Sequence, residues 1–481
     1  MAGSLTNHHA VLSPKPLGII LCSLLTLTLL TYYHRNPTAD DAWFAEQSYW
    51  LQKDGVIRSN FFRGLLGWDQ QLLVSHKLFL LAGAGLIKLF GYQLPVVQFV
   101  GLLAFVVLVG QISFYVYQQE KKTASWLLLV VLILIFSNRL LIKMSFENRP
   151  EMMLAAFGFG SFLCLNARKP TALKTGLAGF LAGLALLTHL NGVIYLTAGF
   201  VTLLYRQQYK SALVFAVVGG LTGLAYFIDV IQAANGFESW YHQFRHDPAT
   251  QNAFGLYSKL LVMLTYPTLF FQPPEVAALS LLFVFMLWNQ RRFIREMPAV
   301  LKLYTVFLIL SFWFITKKNS GLYCVLFMPF MLCIIYELYR LKPFVNSALK
   351  VVLGLYFIIG LYGAIEIIIK NFRVDYLPVS HQKLRPVIPE NQTGLVPLLF
   401  FFDEYDRYPY LLAYDTYKFT SPDSASSASS MARWANRNKV GFLVMDYQLS
   451  REDCYPEPGT AALPHYQLRF FDGRFAVYSH Q

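Results

Sequence analysis

The sequence predicts a polytopic α-helical membrane protein, with about eleven transmembrane helices in residues 1–370 and a small extracytoplasmic α/β domain in residues 371–481. Three observations carry that prediction. The 481 residues are 56% hydrophobic and only 14% charged, with a mean hydropathy of +0.43, whereas soluble globular chains carry roughly 45–50% apolar and about 25% charged residues. Apolar runs recur from Leu17 to Lys370, the longer ones close to the ~20 residues a helix needs to cross ~30 Å of hydrocarbon. From Asn371 onward the chain becomes polar and rich in turn residues, and its apolar runs are too short to span.

Taken in order, the predicted spans are 17–33, 95–117, 124–142, 150–167, 173–189, 191–205, 211–232, 276–289, 300–316, 321–340 and 348–370. The first lacks a small-residue cleavage site before the polar stretch that follows, so it reads as a retained helix rather than a removed signal. Lys121-Lys122, Arg168-Lys169 with Lys174, Arg206 to Lys210, Arg291-Arg292 with Arg295 and Lys302, and Arg340 with Lys342 then fall on one side. The positive-inside tendency makes that side the cytoplasm, and with it the N-terminus. Leu72 to Phe90 and Leu260 to Phe271 are assigned to helices on or dipping into the outer interface, because counting either as a span inverts every later loop. These clusters account for the formal charge of +13, so the expected partner is the lipid bilayer and not nucleic acid. The five cysteines are scattered without ligand spacing and imply neither a disulfide framework nor a zinc site.

In the C-terminal region, Leu395 to Phe402 and Gly441 to Asp446 read as buried strands and Met431 to Asn438 as a short helix. Tyr466 to Phe471 and Arg474 to Tyr478 read as a hairpin around Asp472-Gly473, and Ser421 to Ser430 as a flexible loop. Asn391-Gln-Thr393 fits a glycosylation acceptor, but a bacterial inner membrane is the favoured setting. No G-x-G-x-x-G, P-loop, H-E-x-x-H or G-x-S-x-G pattern occurs, which weakens nucleotide-sugar, ATPase, metalloprotease and lipase chemistries.

With this threading, five polar groups gather on the exterior side: Asp40-Asp41, Glu147 to Glu151, His189 to Asn191, His242 to Asp247, and Lys317 to Asn319. Acids and bases collected at one face of a bundle mark a reaction or transport site. Asp40 and Asp41 open an amphipathic helix in the long exterior loop 34–94. A carboxylate there can take the proton of an acceptor hydroxyl, or simply cap the helix. Only one of the pair can face a given substrate. Arg149, held extended before Pro150, can reach a phosphate in the headgroup layer with Glu151 orienting it, or anchor in lipid while Glu151 meets the helix dipole. Lys317-Lys318 opposes the positive-inside trend, which phosphate binding or snorkelling would explain. His189 sits at a tight inter-helix turn, where a lone histidine is usually structural. His242 and His246 stand four residues apart but lack an evident third ligand, so no metal or other cofactor is assigned, a divalent cation remaining open.

In order and common side, these residues resemble the GT-C glycosyltransferases, in particular the branch similar to dolichyl-phosphate-mannose protein mannosyltransferases and lipid A aminoarabinose transferases. The resemblance covers nearly the whole chain. It rests on Asp40-Asp41 with the following helix and Gly55, Lys77 to Tyr92, Arg149-Pro-Glu151, Gly183 to His189, Lys317-Lys318 before a helix carrying Pro329, and the small exterior α/β domain. It implies a polyprenyl-phosphate sugar donor, an acceptor glycan, lipid or protein on the exterior side, and Asp40 as base with Asp41 its neighbour. It also implies that Arg149 and Lys317 or Lys318 lie near the phosphate; from their place on the same side, His189 is assigned to the donor phosphate and Glu151, His242 and His246 to the substrate. Relatives often carry lysine where this chain has His189, and an aspartate two residues after the arginine where this chain has Glu151, departures that bear on the phosphate contacts and not on the fold. A transporter or flippase for a lipid-linked or anionic substrate is the competing expectation, and it should show paired repeats or broken spans near the midplane. A non-enzymatic scaffold would not need Asp40 and Arg149 on one face.

Overall fold

The structure is a computed structural model, which describes residues 14–119, 125–167, 171–248, 250, 254–317, 320–405, 407–408, 410–421 and 427–481. Lys121-Lys122, Arg168-Lys169 and Lys318 lie outside the described residues. Each predicted apolar segment corresponds to helix. Pro14–Tyr32, Leu94–Gln119, Tyr209–Gln232 and Ser347–Gln382 are long and apolar enough to cross a bilayer, judged by length and composition. The remaining apolar helices are shorter, and several are interrupted. The predicted span 124–142 divides into Ser125–Phe136 and Arg139–Met144, because Asn138 accepts from Leu141 N–H at 3.2 Å and caps a new start. The span 321–340 opens instead with a 3-10 turn, Gly321–Leu326, before Met328–Leu341.

The two stretches assigned to the interface differ in form. Lys77–Phe90 is a 14-residue helix packed on the first-loop helix Ala39–Asp54. Leu256–Phe270 meets Pro274–Asn289 at an 83° bend, the shape of a broken span or a re-entrant loop. Within the bundle, Ala172–Thr188 and Tyr209–Leu224 approach through glycine, since a Cβ on Gly179 would stand 2.5 Å from the Phe215 carbonyl oxygen. Such small-residue contact lets helices pack closely where lipid supplies no hydrophobic drive between them. Phe159, Phe162, Tyr304 and Phe330 fill the middle of the bundle core.

The C-terminal region forms a six-stranded sheet of order β2-β1-β3-β6-β5-β4, with β1 Gly394–Val396, β2 Leu411–Ala413, β3 Phe442–Asp446, β4 Ala462–Leu463, β5 Tyr466–Phe471 and β6 Phe475–His480. The β1 strand pairs in parallel with β2 and β3, and the other pairings are antiparallel. The hairpin turns at Asp472-Gly473 as expected, with Gly473 at φ 90°. Leu395 to Phe402 is not one strand. Pro397 has no N–H to continue a ladder, and Leu398–Glu404 leaves it as a helix. Nor is Ser421 to Ser430 loop throughout, because Ser427 accepts from Ser430 N–H at 3.2 Å and caps the helix Ala428–Arg437. Residues 422–426 lie outside the described residues.

This domain sits on the long loop after the first helix. Phe61 meets Phe401 with ring centroids 4.1 Å apart, Tyr405 packs edge-on against Tyr49 and Trp50, and Asn60 donates to the Tyr405 hydroxyl at 3.0 Å. The helix Ala39–Asp54 is therefore covered on both sides, and it buries Asp41, Glu46, Gln47 and Ser48 along with its apolar residues. The amphipathic helix expected in this loop is thus a filling between bundle and domain.

Candidate functional site

The site begins at the N-terminus of that helix. Thr38 is its N-cap, and its backbone N–H and hydroxyl donate to Asp41 Oδ2 at 2.6 and 2.9 Å while its Oγ1 accepts from Asp41 N–H at 3.5 Å. Asp41 Oδ1 also accepts from the backbone N–H of Asn148, whose side-chain amide donates to the Asp41 carbonyl at 3.0 Å. Asp41 is fully buried, and burial pushes its carboxyl up against the pull of those hydrogen bonds. Capping thus belongs to Asp41, which also fastens the helix to the loop after Arg139–Met144.

Asp40 points the other way. Its side chain is 45% exposed, and its Oδ2 pairs with Nη1 of Arg149. Arg149 completes its fork on Glu151, through Nη2 at 2.8 Å and Nε at 3.3 Å. Pro150 caps the helix Glu151–Leu165, so Glu151 stands in its first turn, nearly buried at 3% exposure. Burial opposes the guanidinium charge, yet its two carboxylates, chiefly Glu151, hold the Arg149 proton above the ordinary range. Beneath them Glu147 takes Arg35 at 3.3 Å and Lys143 at 3.8 Å, and burial raises its carboxyl against the Arg35 charge. Three carboxylates, Asp40, Glu147 and Glu151, therefore pair with three cations, and of these acids only Asp40 is substantially exposed.

His189 caps the helix Ala172–Thr188. Gly192 in the following turn lies where a Cβ would collide with the Ala185 backbone, which fixes how tightly the chain reverses. The Nδ1 of His189 accepts from Asn191 N–H at 2.9 Å, so a neutral ring carries its proton on Nε2. Its ring stacks on His76 with centroids 4.6 Å apart and meets the edge of Tyr323 at 6.0 Å. Burial, with His189, Arg149 and Lys77 nearby, holds His76 well below the ordinary histidine range. Lys77 follows it, paired with Asp229 and 5.3 Å from the Tyr226 ring centroid. Burial lowers its ammonium pKa against the opposing charge of Asp229.

The remaining predicted residues sit apart from this cluster. Lys317 stands over the rings of Phe244 and Phe254, 3.0 and 3.9 Å from their centroids, and burial brings its pKa down to about 8. Lys318 lies outside the described residues. His242 and His246 are exposed on the helix Gly236–His246 with rings 4.5 Å apart, and no group of three metal-ligating side chains occurs among the described residues. What fixes that helix is Gln243, which accepts from Leu73 N–H at 2.8 Å and donates to the Gln71 carbonyl at 2.8 Å, joining it to the long loop after the first helix.

Sequence reasoning missed Arg35 and His76 as parts of the cluster, and gave no role to Lys77 or to Asn148 within Glu147 to Glu151. Lys77 carried a usable signal, since the predicted threading puts it on the exterior side at the head of an expected interfacial helix, the same exception that singled out Lys317-Lys318.

It also missed Glu46. This buried carboxylate accepts from Ser59 Oγ at 2.7 Å, Asn60 N–H at 2.5 Å and Trp50 Nε1 at 3.0 Å, closing the loop on which the C-terminal domain rests. Burial raises it to about 7, against an ordinary value near ~4.3. Its folded value lies above its unfolded one, so the stabilisation it gives is full below about pH 4 and is lost as the pH rises toward about 7. Glu46→Gln should remove this dependence. Between about pH 4 and about pH 8 the unmodified protein should lose on the order of 3 kcal/mol relative to the variant. Thermal unfolding of both across that range checks it, and parallel curves would place the proton elsewhere.

The overall fold matches solved membrane glycosyltransferases. ArnT from Cupriavidus metallidurans in the apo state aligns with a TM-score of 0.59 at 13% identity, over 97% of this chain and 98% of that one. The same protein bound to undecaprenyl phosphate gives 0.58 at 12% identity over the same shares. The oligosaccharyltransferase of Archaeoglobus fulgidus in its apo form gives 0.53 at 10% identity, over 90% of this chain and 69% of that one. Both are GT-C proteins, and the chain has the GT-C fold that its sequence resembles. No protein-family model and no curated protein sequence matches the chain.

Proposed function

We propose that this protein transfers a sugar, with inversion, from a polyprenyl-phosphate carrier to a hydroxyl or amine of a glycan, lipid or protein at the exterior membrane face. The observation that carries this reading is the division of labour within the acid pair: Asp41 is consumed by the helix cap, while Asp40 is 45% exposed and held by Arg149. Arg149 engages Oδ2, so Oδ1 of Asp40 is the atom assigned to the acceptor proton. The acceptor oxygen attacks the anomeric carbon as Asp40 takes its proton, and the carbon–oxygen bond to phosphate breaks with its electron pair leaving on the phosphate. That phosphate is already anionic, and fixed cations lower the cost of its departure. Arg149 and Lys77 are the cations assigned to it, with His189 Nε2–H as a neutral donor beside them. Glu151 keeps the guanidinium in place. Lys317 is assigned as a second cationic position, with Lys318 beside it in sequence, and His242 and His246 line an exposed helix face suited to the acceptor side.

The likeness to ArnT, one structure of which holds undecaprenyl phosphate, supports a lipid-phosphate donor. The experiment is incubation of the purified full chain with a panel of polyprenyl-phosphate sugars and measurement of free polyprenyl phosphate. Release from at least one donor is expected. Binding without release across the panel would return the chain to the transport reading.

A further inference from the structure

Away from the candidate site, the helices Pro274–Asn289 and Ser347–Arg373 leave an apolar groove of 610 Å³ between them, lined by Ala277, Leu281, Phe285, Trp288, Val352 and Leu355 among others. The helices run antiparallel. At one end Asn138, which donates to the Glu275 carbonyl at 3.3 Å, follows Ser137, on which Gly360 packs. At the other, Gln290 donates to the Lys342 carbonyl at 3.0 Å. From Pro274 to Trp288 the groove is about 21 Å long at 1.5 Å per helical residue, more than half the thickness of ~30 Å of hydrocarbon. Both helices carry their apolar lining into the predicted membrane region.

The excess of exposed positive charge is at one mouth, while the other end carries Glu275 and the Arg139–Glu366 ion pair. Arg291 stands 5.3 Å from the Trp288 ring centroid, Arg292 and Arg295 follow in the same 3-10 turn, and Lys342 and Lys350 come from the partner segment. All five are exposed, and Glu296 is the acid among them. This mouth is opposite to the end where Pro273 packs on Gly321, two residues from the Tyr323 of the candidate site.

We propose that this groove binds one anionic phospholipid, its acyl chain lying along the helices and its phosphate held by the arginines beyond Trp288. An apolar slot of acyl length ending in a tryptophan and a guanidinium fits such a lipid at both ends. A zwitterionic lipid would fill the slot but leave the cations uncompensated. The polyprenyl-phosphate donor needs its phosphate at the opposite face, beside Arg149.

Native mass spectrometry of the full chain in neutral detergent tests this with phosphatidylglycerol and phosphatidylcholine. One tightly retained phosphatidylglycerol is expected, at least about tenfold preferred over phosphatidylcholine. Arg291→Ala combined with Arg292→Ala should abolish the preference, and Ala277→Phe or Val352→Phe, which fill the slot from either wall, should abolish the retention. Unfolding temperature in detergent identifies any variant that has merely misfolded, and the other slot variant then decides. Equal retention of both lipids, retention unaffected by both slot variants, or displacement of the lipid by undecaprenyl phosphate would each overturn the assignment. None of these outcomes depends on glycosyl transfer.

Discussion

Asp40→Asn is expected to lower turnover by roughly a hundredfold or more while the protein still inserts and binds donor, because an amide cannot accept the acceptor's proton. The helix start should not suffer, since its cap is made by Thr38 and Asp41 and Asp40 takes no part in it. Asp41→Asn should behave in the opposite way. Asp41 receives three hydrogen bonds on its carboxylate, from Thr38 N–H, Thr38 Oγ1 and Asn148 N–H. An amide there turns a donor toward a donor on one side, and an unsatisfied buried group costs about 1–3 kcal/mol. Thermal unfolding and single-turnover rates, measured on both variants, separate the two roles. A stable but slow Asp41→Asn beside an active Asp40→Asn would transfer the base to Asp41.

Arg149→Ala should be the most damaging change to stability within the cluster. Glu151 is 3% exposed and Asp40 has its ion pair only through this guanidinium, so removal leaves a buried carboxylate uncompensated. Breaking a buried pair from one side costs about 3–5 kcal/mol. The loss would be read as a lower unfolding temperature together with lost turnover, which alone cannot separate scaffold from chemistry. Replacing both partners does. Arg149→Met with Glu151→Met removes the buried charges together and should recover most of the stability. Turnover should stay low, because Asp40 has lost its tether and the donor phosphate its bidentate partner. Recovery of activity with stability would make Arg149 a structural residue only.

The helical segments were legible from their hydropathy, and every one of the expected apolar spans is helix. Among the described residues only four are long enough by length and composition to cross a bilayer, so the count of about eleven spans stays an expectation. The interruptions of the helices were not legible, since Asn138 as an internal cap depends on tertiary partners such as the Glu275 carbonyl. The hairpin at Asp472-Gly473 was legible from turn chemistry, whereas Leu395 to Phe402 misled because a long apolar run hides what Pro397 does to a ladder. In the site, the grouping of Asp40, Arg149, Glu151 and His189 followed from placing loops on a common side. The separate fates of Asp40 and Asp41 did not follow, because they are decided by Asn148, 107 positions away in the chain. Glu46 escaped notice for the same reason: its partners Ser59 and Asn60 become neighbours only when the loop folds back.

The proposed transfer requires that the bond between sugar and lipid phosphate be broken by this protein. The most direct measurement uses proteoliposomes holding the protein, a polyprenyl-phosphate sugar labelled in the sugar, and an acceptor on the exterior side. Label should leave the lipid for the acceptor while free polyprenyl phosphate appears in equal amount. Label that stays on the lipid while the lipid changes leaflet would contradict it.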